Sequence, residues 1–294
     1  MPEQLSNVIP LRSETHEAGQ QKPWEARVEA IRSKSKDNLK VIVDALDPKR
    51  TSETPEAQAR IEEIRESLGV TINFYAHETI PYLLGEGCLR PHLEDKEPGP
   101  MRKLKTAFLD KMRARISTIK HTRSAEERLG IRPEGWGSAD DPELVYGAVT
   151  DSTPEDETKG GAGGWYGLDI FVLKPDRIKD RATITPMDSY YIQDPRMVVT
   201  WEDVPTLMYL RDEGRADPTA NYTRGEYVEA QIAGGVGAED IEEIKFYISN
   251  PDGTLDEVLD QYGGRAVFEE KMPGVKLTGI PGHARQALDL EQAA

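Results

Sequence analysis

The chain carries a single cysteine, Cys88, among 294 residues. A disulfide framework within the chain is therefore excluded, and no paired Cys/His spacing suggests zinc; a reducing compartment fits best. Long apolar runs are missing as well. Residues 1–23 lack the hydrophobic core of a signal peptide, and no stretch is long and apolar enough for a membrane helix, so no membrane partner and a cytoplasmic location are expected. Basic charge is in short supply: 37 Lys and Arg face 53 Asp and Glu, a net charge of -16. That average field repels polyanions, so no nucleic-acid partner is expected. Histidines are sparse too, and His16, His77, His92, His121 and His283 are far apart in sequence, which argues against a histidine metal cluster.

Glycine is plentiful, but not in a phosphate-binding arrangement. The segments at 160–164 and 234–237 precede no Lys-Ser/Thr pair and form no GxGxxG between strand and helix. No GxSxG elbow or HExxH pair occurs either. Within this acidic chain, residues 101–123 are densely cationic; a helix face docked on acidic neighbours and an anion site are both open readings.

With 37% hydrophobic and 31% charged residues, the chain can build a sizeable core and keep polar ends. Residues 1–23 read as a tail. Residues 23–46 carry Val28, Ile31, Leu39, Ile42, Val43 and Leu46 at helical spacing, and residues 56–69 read as a second helix ending at Gly69, with Thr51, Ser52 and Thr54 offering N-cap oxygens. β-branched and aromatic residues then predict a first strand at 70–76, and a short helix or turn follows. Further strands are predicted at 144–149, 166–173, 181–191, 227–235 and 240–249, with weaker ones over 265–270 and 275–280; helices are predicted over 101–120, 201–214 and 254–264. No steady strand-helix alternation appears, so the expected class is α+β. The expected organisation is a tail at 1–23, a helical extension at 24–69, one domain at 70–280 and a tail at 281–294.

One acid stands out. In residues 227–232, period-two geometry puts Tyr227, Glu229 and Gln231 on one face and Val228, Ala230 and Ile232 on the other. An ordinary exposed polar face would look the same.

The run of segments at 70–90, 144–149, 166–191 and 227–246, with "EAQ" followed by glycines and "DIEEI", resembles that of bacterial and phage proteins similar to divergent ADP-ribosyltransferases. The resemblance spans roughly 70–280. It implies a split, mixed or antiparallel β-sandwich, here with the N-terminal helical extension, that grips NAD as a substrate. It also implies three site contributions: an Arg or His from the first strand, a middle Ser/Thr, and a late-strand Glu that polarises the nicotinamide ribose. A fixed carboxylate gains most where a ribosyl cation develops. Glu229 takes the catalytic role under this resemblance. Thr185 or Ser189 takes the middle one, although the usual Ser-Thr-Ser run is absent. Asn73 stands where Arg or His is expected, with His77 and Arg90 as substitutes from the next turn. Tyr75 and Tyr146 are stacking candidates, and Gln231 is a ribose-binding one. The implied activity is ADP-ribose transfer to a protein or other acceptor, or NAD hydrolysis. The rival expectation is a phage or mobile-element structural protein, virion-associated, that keeps the scaffold without turnover; an acidic inhibitor module is a third.

Overall fold

A computed structural model describes residues 23–74, 76–89, 129, 144–151, 168–216 and 227–281. The predicted helix over 101–120, the glycine-rich segment at 160–164 and the candidates Tyr75 and Arg90 lie outside the described residues.

The class is α+β. Among the described residues, eight strands form one mixed sheet, and two short strands pair separately. In chain order the strands are β1 (Leu68–Phe74), β2 (Cys88–Leu89), β3 (Val145–Asp151), β4 (Asp169–Leu173), β5 (Ala182–Thr185), β6 (Val199–Thr200), β7 (Val228–Ile232), β8 (Val236–Gly237), β9 (Ile241–Ile248) and β10 (Lys276–Pro281). The large sheet runs β10-β9-β4-β1-β3-β7-β5-β6, antiparallel throughout except for the parallel pair β9 and β10; β2 pairs with β8. The helices are α1 (Pro23–Arg32), α2 (Ser35–Leu46), α3 (Pro55–Ser67), α4 (Ala76–Glu86), α5 (Pro175–Ile178), α6 (Val204–Ala216), α7 (Leu255–Asp260) and α8 (Arg265–Lys271).

The two faces of the sheet differ sharply. On one, Val70, Val145, Val149, Ile184, Val228, Ala230 and Ile232 join Ile42, Ile61 and Ile64 of α2 and α3 and Leu207 and Met208 of α6 in a continuous apolar core. The helices at 35–67 thus share that core with the sheet. On the other face, Leu144 and Ala233 join Ile31 of α1, with Trp24 packed against them. Polar ties hold the N-terminal helices in register: Ser35 Oγ donates to Asp203 and accepts from the Thr200 N–H at 2.9 Å, and Asn38 Nδ2 donates to the Val198 carbonyl at 2.8 Å.

Local chemistry explains where the elements differ from the expected ones. The helix expected over 23–46 is broken at residues 33–34 into α1 and α2. Gly69 does not end α3: the helix stops at Ser67 and Gly69 is already in β1, opposite Thr150. Of the three N-cap candidates, Thr54 accepts from the Ala57 N–H, while Thr51 and Ser52 donate their hydroxyls to Asp47. The strand expected at 265–270 is helix α8, whose Ala and Glu favour helix and whose Phe268 meets Phe246 edge-on at 5.7 Å. The strand expected at 181–191 ends at Thr185, because Pro186 removes the next ladder donor; a 3₁₀ turn, Ser189–Tyr191, follows. Gly147 lets β1 approach β3 closely, since a Cβ there would lie 2.9 Å from the Thr71 carbonyl.

Candidate functional site

β7 is an interior strand, with β3 on one side and β5 on the other. Register puts Glu229 opposite Ala148 on β3 and Thr185 on β5, while Gln231 lies opposite Tyr146 and Thr183. Partners opposite each other share a face, so a polar row crosses the sheet on the side away from the main core. All five residues of β7 are buried, including Glu229 at 4% exposure and Gln231 at 0%. The acid is therefore not on an open amphipathic surface.

What covers it is the turn after β5. The Ser189 N–H donates to Glu229 Oε1 at 3.1 Å, and Gln231 Nε2 donates to the same oxygen at 2.6 Å. The Tyr227 hydroxyl donates to Oε2 at 3.4 Å. Gln231 Nε2 also donates to Thr185 Oγ1 at 2.9 Å, the Thr183 hydroxyl donates to Gln231 Oε1 at 3.2 Å, and the Thr185 hydroxyl donates to the Met187 carbonyl at 2.8 Å.

Burial pushes the Glu229 carboxyl up to about 7, and the neighbouring Asp188 charge adds to it, while the hydrogen bonds from Ser189 and Gln231 pull the other way. Near neutral pH this acid can hold or release a proton.

A small cavity opens further along the same face. Its walls include Trp24 and Arg27 of α1, Arg181, Thr183 and Gln231, and its volume of about 10 Å³ is room for roughly one water. The turn after β7 forms its neighbourhood. Gly234 has φ +82°, and a Cβ there would lie 3.2 Å from Trp24 Nε1. Arg181 fixes that turn: Nη1 donates to the carbonyls of Ala233, at 2.8 Å, and Gly235, while Nη2 pairs with Asp240 at 2.6 Å. The glycines at 234–235 are thus a braced turn in which φ is positive at both residues.

The structure brings Glu229, Gln231, Thr185 and Ser189 together, with Tyr146 beside Gln231 across the β3 ladder. Asn73 is buried on β1, two residues after Thr71, which pairs with Ala148. It shares the polar face one strand beyond β3. His77 is exposed in the first turn of α4, outside the buried cluster.

Sequence reasoning passed over Thr183, Asp188 and the α1 residues Trp24 and Arg27. Pro186 was the available signal for Asp188: it ends the strand and turns residues 187–191 over the acid. Nothing in the sequence places α1 against this face. Among the described residues, no group of three or more His, Cys, Asp or Glu is arranged to hold a metal, and no helix is long and apolar enough to cross a membrane.

No family model matches the chain, and neither does any curated protein. Among solved structures, it is similar to Thermus sp. 2.9 DarT in complex with ADP-ribosylated ssDNA, at 12% identity and a TM-score of 0.37, over 73% of this chain and 93% of that one. A TM-score that low transfers neither residue roles nor a substrate.

Proposed function

We propose that this chain is an ADP-ribosyltransferase-like protein whose working acid is Glu229, with NAD as substrate and a protein as acceptor. One observation carries the reading: the acid that the resemblance assigns to ribose chemistry is buried, and the charge acting on it is that of another acid, Asp188. A carboxyl so placed gains strongly when positive charge develops beside it, because that charge would be its counter-ion in a site that excludes water. The split sandwich belongs to the same proposal, as does division of labour in the site. Ser189 braces the carboxyl directly and Thr185 does so through Gln231, and Tyr146 and Asn73 extend the polar face on which a dinucleotide would lie. With Glu229 at 4% exposure, substrate reaches it only when part of its cover, to which Ser189 belongs, moves aside. The net charge of -16 favours a protein acceptor over a polyanion.

Incubation with labelled NAD tests this. Wild type should release nicotinamide, and Glu229→Gln should lose at least about 100-fold of that rate. Release should rise with pH through about 7 as the carboxyl ionises. Equal background rates in both proteins would remove the enzyme reading.

A second reading, a phage or mobile-element scaffold without turnover, is favoured by the same enclosure: both oxygens of Glu229 are occupied by partners inside the protein. Calorimetric titration with NAD separates the two, since a scaffold with no pocket gives no binding heat.

A further inference from the structure

Counting hydrogens across the polar row fixes the orientation of the Gln231 amide. Thr185 has one hydroxyl hydrogen, and it goes to the Met187 carbonyl at 2.8 Å. Its oxygen can therefore only accept from Gln231, 2.9 Å away, so the group facing it is the amide nitrogen. The second hydrogen of that nitrogen points at Glu229 Oε1, 2.6 Å away, and the amide carbonyl is left to accept from Thr183 at 3.2 Å. A flipped amide would set its carbonyl oxygen against Thr185, which has no hydrogen to give, and against the Glu229 carboxyl. With the carboxyl ionised, both contacts oppose the flip.

The two oxygens of Glu229 are thereby made unequal. Oε1 faces two N–H groups, those of Ser189 and Gln231, which can only donate, whereas Oε2 faces the Tyr227 hydroxyl at 3.4 Å, which can also accept; the Ser189 hydroxyl bonds the carboxyl as well. We infer that Gln231 is a positioning residue that commits Oε1 to accept, so that Oε2 is the oxygen that carries and releases the proton. When Oε2 is protonated it donates toward the phenol; when it is ionised the phenol donates back. The placement of the proton stands on the hydrogen-bond geometry alone. The catalytic consequence, that Oε2 faces the reacting sugar, rests on the transferase reading.

Among the described residues, the titratable groups that face this carboxyl are Asp188, from the turn after β5, and Tyr227, from the segment before β7; its cross-strand partners, Ala148 on β3 and Thr185 on β5, carry none. Asp188 and burial push the acid toward its neutral form, and the donors from Ser189 and Gln231 oppose them. Removing the Gln231 donor should therefore favour the protonated acid further.

The test is a ¹³C NMR titration of side-chain carboxyls in the full chain, with the Glu229 signal identified by its loss in Glu229→Gln. Gln231→Met keeps the size and removes the donor; its Glu229 midpoint should move up by about one to two pH units. Thr185→Val, which removes one of the two contacts that hold the amide's orientation, should move it in the same direction by less, and it carries the test if Gln231→Met does not fold. An unchanged midpoint in the folded variants overturns the assignment. Nicotinamide release is then followed against pH. In an active wild type, the acid limb of Gln231→Met should move by the same amount as the carboxyl, and a limb that stays put overturns the positioning role. Absence of release from wild type, alongside a shifted NMR midpoint, removes the transferase reading and leaves the positioning intact.

Discussion

Asp47, in the loop between α2 and α3, and Glu229, in the middle of β7, are both 4% exposed, yet their environments drive them in opposite directions. Asp47 receives four hydrogen bonds, from the N–H and hydroxyl of Thr51 and of Ser52, at 2.7 to 2.9 Å. Burial pushes its carboxyl up, but these donors, Ser52's above all, pull it below the usual carboxylate range. Glu229 also has donors. Its burial and the Asp188 charge outweigh them, and it titrates near 7. Burial alone therefore does not say whether an acid is structural or poised for proton chemistry. The balance of desolvation and neighbouring like charge against donors does.

Replacing the acid in each place should break the contrast. The largest effect is expected for Asp47→Ala, which strands the Thr51 and Ser52 donors and should cost about 4 kcal/mol at pH 7, read by urea unfolding. The wild-type contribution is present above the ordinary value of 3.8 and is lost as pH falls through the lowered folded value, so the cost should shrink in acid. Glu229→Gln should have the opposite sign. A raised folded value means that the native state holds a proton which the unfolded chain has released, so wild type loses stability as pH rises from 4.5 to about 7. The variant escapes this loss. It should be more stable than wild type by about 3 kcal/mol above pH 7 and close to it near pH 4, as followed by thermal unfolding across pH. A variant no more stable at pH 8 than at pH 4, relative to wild type, would show that burial does not strain this acid.

Smaller changes sharpen the comparison. Asp188→Asn removes the like charge and should lower the Glu229 midpoint by about one unit in the carboxyl titration. Tyr227→Phe removes only a 3.4 Å donor to Oε2, and its effect should stay under about half a unit. A Tyr227 effect larger than that of Asp188 would mean that the phenol, rather than the like charge, sets the titration of this acid.

Much of the framework was legible in the sequence. Alternation at 227–232 placed Glu229 and Gln231 on one face, and the composition of 70–76, 144–149 and 240–249 marked strands that the fold contains. The places where the reading slipped differ in cause. Over 265–270 and 181–191 the overlooked signal was local, the helix-favouring Ala and Glu and the strand-ending Pro186. Gly69, read as a helix terminator, is instead redirected by a strand partner. Thr51 and Ser52 show the same thing at the scale of a side chain: good N-cap residues, they serve a carboxyl instead.

The sequence by itself settled that the chain is acidic, has no disulfides within it, is α+β in class and carries an acid and an amide on one side of a strand, because period, composition and charge are local quantities. That the acid is enclosed rather than wet was decided only by the tertiary structure. Enclosure needs β3 and β5 on either side of β7, the turn after Pro186 folded over it and α1 laid on the same face, and those are contacts between segments distant in sequence. The value near 7 that makes Glu229 a candidate for chemistry follows from that enclosure and from Asp188, 41 positions away in the chain and beside it in the fold.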